Sequence, residues 1–242
     1  MRNASEGNGP TGGRAAPLFF AGLPPGEVAD LMAQAPKRTA GAGRYLFHEG
    51  EPANAFYVLL AGQVRLTQLT AEGRQVIVRL VGPGEVFGGV LALGDTVYPV
   101  SAQAVGRCDL MAWDAERAMA MLERHPKLAL NVLRVLAFRI RDLQDRYREL
   151  ATERVERRIA HALLRLARQT GRRTEEGVLI DTPLTRKDLA EMTGTTLYTV
   201  SRTLSRWEQA GLVALGRSRL TILNPHGLVN VAEDLPPSAA LP

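Results

Sequence analysis

The chain has 242 residues, 45% of them hydrophobic and 23% charged, with a formal net charge of +5 and a single cysteine. Such a length and apolar content support one or two domains with sizeable cores, and one cysteine excludes an intramolecular disulfide framework, a cluster held by four thiolates of one chain and a multi-cysteine zinc site. The sequence contains no apolar run of about 18 residues, and its start, MRNASEGNGPTGGRAAP, lacks the hydrophobic region of a secretory signal, so a cytoplasmic protein with no membrane partner is expected.

In chain order, the Gly/Asn/Ser/Pro-rich residues 1–16 and the end, 232–242, carry too little apolar sequence to order themselves and are expected to be loose tails. A helical lead-in, PPGEVADLMAQA, precedes residues 40–107. There, short apolar runs (RYLFH, FYVLL, VRLTQL, QVIVRL, SAQAV) alternate with turns at Gly50, Gly62, Gly73, Gly82 and Gly84, Gly94 and Gly106. Short strands between regular glycine turns predict a small antiparallel barrel or jelly roll, closed by a short helix over 114–123. The lone Cys108 reads as a buried, inert thiol.

A long helix is expected over 126–153, with Leu133, Leu136, Ile140, Leu143, Tyr147 and Leu150 in an alternating three-four spacing. It would span about 40 Å, too long to pack only against its own small domains. The seam therefore predicts a two-stranded homodimer interface, a long core helix within one subunit being the alternative. A further helix, VERRIAHALLRLARQ, presents Val155, Ile159, Ala162 and Leu166 on one face.

The most informative stretch is LTRKDLAEMTGTTLYTVSRTLSRWEQAGLV, residues 184–213. Thr185 and Asp188 have capping-box spacing, Gly194 suits a turn at positive φ, and Thr195 or Thr196 caps a second helix. On that helix Val200, Leu204 and Trp207 form a core stripe, while Tyr198, Ser201, Arg202 and Ser205 form a polar one. This is a helix-turn-helix pattern, and Arg202 is able to fork onto guanine O6 and N7. Two strand-like runs, 212–215 and 220–223, flank a Gly-Arg-Ser-Arg tip, the expected basic wing. Residues 154–224 hold 13 Lys or Arg against 7 Asp or Glu, whereas residues 17–124 hold 9 against 11. Positive charge is thus concentrated where phosphates would be neutralised.

Taken together, the phrases GEPANAFYVLLAGQVRL, TAEGR and GPGEVFGG, the long helix, LTRKDLAEMTG, TVSRTL and the Gly-Leu-Val before the wing make the chain resemble the Crp/Fnr superfamily of transcription regulators over residues 18–228. The resemblance implies an α+β fold: a cyclic-nucleotide-binding-like β-roll (jelly roll) as effector domain over 17–124, a dimerisation helix over 125–153 and a winged helix-turn-helix over 154–231. It further implies a homodimer on a near-palindromic double-stranded operator, with RNA polymerase as a partner if the chain activates. Tyr198, Ser201 and Arg202 would read bases. Arg186, Lys187, Thr195, Thr196, Thr199, Arg206, Arg217 and Arg219 would hold the DNA backbone. Tyr198 stands where a glutamate is frequent in the family and Leu197 where cyclic-AMP-responsive members carry arginine, so the half-site is expected to differ.

The effector pocket would involve Gly84, Glu85, Phe87, Gly88, Gly89 and Ser101. Gly89 replaces the ribose-binding glutamate of cyclic-AMP binders and Val100 the phosphate-binding arginine, leaving only Ser101, so cyclic AMP is not the expected ligand. An iron–sulfur cluster is excluded by the cysteine count. Heme with nitric oxide or carbon monoxide, another small molecule, or no ligand stay open; GEPANAFY, TAEGR and AQAV look most like the nitric-oxide-responsive branch. His48, His125, His161 and His226 show no metal-ligand spacing and read as surface or helix-end residues. No G-x-S-x-G, H-E-x-x-H, Walker or dinucleotide motif occurs, which argues against an enzyme. The competing function is a ligand sensor acting through protein contacts instead of DNA.

Overall fold

A computed structural model describes residues 18–89, 96–180, 183–216 and 219–235. The expected turn at Gly94, the wing-tip Arg217 and most of both expected tails lie outside these residues.

The first half is built from two four-stranded antiparallel sheets. One has the order β1 (Lys37–Ala40), β8 (Cys108–Asp114), β3 (Ala55–Ala61), β6 (Val86–Phe87), and the other β2 (Tyr45–Phe47), β7 (Ser101–Ala104), β4 (Val64–Leu69), β5 (Gln75–Val81). Side chains alternate across a strand, which explains why β3 and β8 read as nearly unbroken apolar runs. Ala55, Tyr57, Leu59, Cys108, Leu110 and Ala112 point between the sheets. Phe56, Val58, Met111 and Trp113 point outward, onto a 3-10 turn (Leu18–Phe20), α1 (Pro25–Ala33), α2 (Ala115–Arg124) and the start of α3 (Pro126–Thr152). The jelly-roll expectation therefore stands, with a second, outer core added by the helices.

Helix α3 (Pro126–Thr152) opens with proline in its first turn, where a missing N–H costs nothing. Among its 27 residues only Leu128, Asn131 and Glu149 are buried. Asn131 Nδ2 donates to the carbonyls of Phe19 and Ala21, both at 2.9 Å, which fastens the helix to the N-terminal half. At its other end Glu149 accepts two hydrogen bonds from Arg165 Nη1, at 2.6 and 2.9 Å, and so ties α3 to α4 (Val155–Thr170).

The last third is α4, a hairpin of β9 (Gly171–Thr174) and β10 (Gly177–Ile180), α5 (Arg186–Thr193), α6 (Leu197–Gln209), β11 (Val213–Gly216), β12 (Arg219–Ile222) and α7 (Pro225–Glu233). Its sheet runs β11-β12-β10-β9. Ile159, Leu163, Leu166, Leu189, Val200, Leu204, Trp207, Val213, Leu220, Ile222 and Leu228 share one core, and Ile77 and Leu80 of β5 belong to it as well. Two elements go beyond the sequence reading, the β9–β10 hairpin and α7. Helix α7 also corrects the expected tail boundary at 232, because Ala232 is buried within it.

Candidate nucleic-acid interface and effector cavity

The turn between α5 and α6 is specified locally. Thr185 Oγ1 accepts from the Asp188 amide at 3.0 Å while Asp188 Oδ2 accepts from the Thr185 amide at 2.8 Å, a complete capping box. Gly194 caps α5 at φ 61°, ψ 42°, the left-handed conformation that only a residue without Cβ adopts freely. Thr196 then caps α6 by accepting from the Thr199 amide at 3.2 Å, which settles the Thr195 or Thr196 alternative.

Val200, Leu204 and Trp207 are buried, and Trp207 Nε1 donates to Glu156 Oε1 at 2.9 Å. The opposite face is open. Tyr198 is 69% exposed, and Arg202 lays its guanidinium over the Tyr198 ring, 5.6 Å from the centroid. Ser201 is half-buried between them on the same stripe. The pair is held in register by i,i+4 spacing and cation–π attraction. Leu197, at the start of α6, is exposed beside it and adds an apolar edge to this face.

Of the expected backbone contacts, Arg186, Thr196 and Arg219 are exposed, and Thr195 and Thr199 are half-buried, the latter engaged in the cap. Lys187 pairs with Glu191 at 3.6 Å. Arg206 forms an ion pair with Glu156 at 2.5 Å, so it must exchange that partner to meet a phosphate. The helix-turn-helix also touches other parts of the chain: Arg65 Nη1 of β4 donates to Asp188 Oδ1 at 3.0 Å, and Leu150 Cδ2 of α3 lies close to Gly194.

Along α3, Leu133, Ile140, Leu143, Tyr147 and Leu150 are 53–74% exposed and form an apolar stripe. Leu136 departs from the expected seam, because it turns inward onto the wall of a cavity of about 260 Å³ between the β-roll and α3. That wall is formed by Phe47, Phe56, Phe87, Val100, Met119 and Val135 among other apolar side chains, and its charged members among the described residues are Arg79 and Arg139.

Three of the six expected pocket residues, Phe87, Gly88 and Gly89, line this cavity. Gly84, Glu85 and Ser101 do not. Gly84 holds a turn at φ 85°, Glu85 is folded back to accept from the Gly82 amide at 2.8 Å and to pair with Arg139, and Ser101 accepts from the Glu49 amide at 2.9 Å. A Cβ at Gly89 would lie 3.0 Å from the Phe56 ring, so a glutamate there requires that ring to shift. Val100, also on this wall, offers no donor to a phosphate.

Toward heme, the described wall offers little. A heme iron takes His, Cys, Met or Tyr as axial ligand; among the described residues of the wall no imidazole or thiol occurs, Tyr98 spends its hydroxyl on the backbone of Ala55, and only the Met119 and Met121 thioethers remain. The histidines are elsewhere: His48 stacks on Tyr45, His125 faces Glu27, His161 lies 3.2 Å from Glu153, and His226 is in the first turn of α7. Cys108 is buried and donates to the Gln63 carbonyl at 3.0 Å, and burial pushes its thiol up from the ordinary range. Sequence reasoning missed Arg79 and Arg139, since an arginine in an alternating strand and another on a charged helix flank both look like solvent-facing residues.

Comparison with known proteins agrees with this architecture. The cyclic nucleotide-binding domain family matches residues 37–125 and the Crp-like helix-turn-helix domain family residues 157–231. The cyclic AMP receptor protein of Thermus thermophilus is 34% identical over 203 residues, covering 84% of this chain and 90% of the relative. The global nitrogen regulator of Synechocystis is 30% identical over 195 residues, covering 78% and 85%. Among solved structures, a CRP-family transcriptional regulator of Thermus thermophilus superposes with a TM-score of 0.70 at 27% identity, covering 84% of this chain and 100% of that one. FixK2 of Bradyrhizobium japonicum shares the fold with a TM-score of 0.73 at 23% identity, covering 85% and 99%. A β-roll carrying a cavity, a long helix and a winged helix-turn-helix, in this order and with these relatives, place the chain in the Crp/Fnr family of DNA-binding transcription regulators.

Proposed function

We propose that two copies of this chain pair along α3 through Leu133, Ile140, Leu143, Tyr147 and Leu150 and read a near-palindromic DNA operator. An isologous pairing sets two α6 helices in successive major grooves, about 34 Å apart. Tyr198, Ser201 and Arg202 read base edges, with Arg202 forked onto a guanine; Arg186, Lys187, Thr195, Thr196, Thr199, Arg206, Arg217 and Arg219 hold phosphates. The observation that carries this reading is the stacked, exposed Tyr198–Arg202 pair on a helix whose other face is locked in a core.

Residues 17–124 serve as the sensor, 125–153 as the dimer helix and 154–231 as the reader. A small molecule in the cavity bears on both β5 and α3, and differential affinity for two arrangements of α3 changes the spacing of the readers. The work is done in the cytoplasm, without a membrane partner and without catalysis, and RNA polymerase is the protein partner wherever the chain activates.

Selection from a random DNA pool, followed by binding at graded salt, tests this reading. The expected result is a two-fold symmetric site whose half-sites differ from those of glutamate-bearing relatives at the base pair facing Tyr198, with affinity falling steeply as salt rises. Salt-independent binding or an asymmetric consensus would leave protein contacts as the better account.

A further inference from the structure

We propose that the cavity takes a small amphiphilic monoanion, an apolar body ending in one carboxylate, with Arg79 as the residue that holds the charge. The proposal rests on reading the cavity as an effector site. Apart from its two arginines and the Tyr98 ring the described wall is apolar, and Tyr98 spends its hydroxyl on the backbone of Ala55, 2.9 Å from both its amide and its carbonyl.

Among the described residues, the charges behind the wall do not balance. Arg139 is paired with Glu85, and Arg146 with Asp142 at 3.1 Å. Arg79, opposite Leu66 in the β4–β5 ladder, donates to the Val86 carbonyl at 3.2 Å, and among the described residues it has no carboxylate within ion-pair distance. Its Nε is buried without a partner, as is that of Arg139. Burial lowers the Arg79 guanidinium to about 10, with Glu85 opposing and Arg139 adding to the fall, so it remains charged at neutral pH. A buried cation lacking an anion is costly, and an anion arriving from solution relieves that cost.

Size and donor number narrow the class. About 260 Å³ lies at the small end of ligand pockets and suits a monocyclic or short-chain body. One guanidinium without an anion supplies one bidentate fork, which a single carboxylate fills. Because Arg79 is on β5 and Arg139 on α3, an anion seated here joins the sensor sheet to the dimer helix, beside the existing bond from Arg146 Nη1 to the Val78 carbonyl at 2.8 Å.

The test is calorimetric titration of the full chain with benzoate, phenylacetate and octanoate, each beside its uncharged amide. At least one acid is expected to bind saturably and about 10- to 150-fold more tightly than its amide, the range of a charge-assisted hydrogen bond. Arg79→Met should reduce that acid to the affinity of its amide and leave the amide unchanged, and Arg79→Lys should keep part of the preference. Equal binding of acid and amide by the unaltered chain, which needs no variant to fold, overturns the proposal. So does an acid preference that survives Arg79→Met, or a failure of all three acids to bind at millimolar concentration. Operator binding measured alongside separates the two readings: salt-dependent operator binding with no acid bound overturns the anion site alone, while acid binding without operator binding supports the site and removes the regulator role proposed above.

Discussion

Truncating Leu143 to alanine should dissociate the dimer, and the size of the effect follows from exposure. Leu143 is 63% exposed in the single chain. Full burial of a leucine stabilises by about 1.5 to 3 kcal/mol, so covering the exposed fraction contributes about 1 to 2 kcal/mol. An isologous seam contains the residue twice, which gives about 2 to 4 kcal/mol per dimer and a dissociation constant raised about 30- to 800-fold. Sedimentation equilibrium across a concentration series measures this directly. Leu235→Ala is the control, because Leu235 is 52% exposed but lies after α7, away from the seam. The same series should show operator affinity falling with the dimer fraction. A dissociation constant unchanged within about two-fold, or an equal loss from Leu235→Ala, would refute pairing along α3.

Arg202→Ala should cost about 1 to 3 kcal/mol on the selected operator and little on random DNA, as measured by competition gel shift; uniform weakening on both would assign Arg202 to phosphates instead of bases. Gly194→Ala should destabilise by about 1 to 2 kcal/mol in denaturant unfolding, because φ 61° is unfavourable for any residue with a Cβ, and Gly194→Asn should cost less. Asp188→Ala should cost about 0.5 to 2 kcal/mol more than Arg65→Ala, since it loses the capping box as well as the Arg65 contact; equal losses would mean that the cap adds nothing. Cys108 should resist a thiol reagent at pH 8 in the native state and react on unfolding, because burial both shields it and raises its thiol pKa; rapid native labelling would contradict that placement.

What the chain declares by itself is what short-range chemistry decides. The turn of the reader is legible because Thr185, Asp188, Gly194 and Thr196 act on backbone groups within four residues of themselves, and the core stripe of α6 because helical periodicity is local. The exposed apolar stripe of α3 is visible in the same way, Leu136 excepted, since its residues share one helix face. The β9–β10 hairpin escapes notice because GRRT has no apolar alternation and becomes a strand only through its ladder with β10. Helix α7 escapes because its buried stripe is just Leu228 and Ala232.

Tertiary structure alone determines the cavity. Phe56 closes the space at Gly89, a turn draws Glu85 away toward the Gly82 amide and Arg139, and Leu136 leaves the seam for the wall. It also determines that β5 serves two cores, with Ile77 and Leu80 turned to the reader and Arg79 to the cavity. These outcomes depend on residues brought together from strands and helices far apart in the chain. A one-dimensional pattern records which side of an element is apolar, but not which neighbour that side will meet, and the chemistry of the cavity is set by those neighbours.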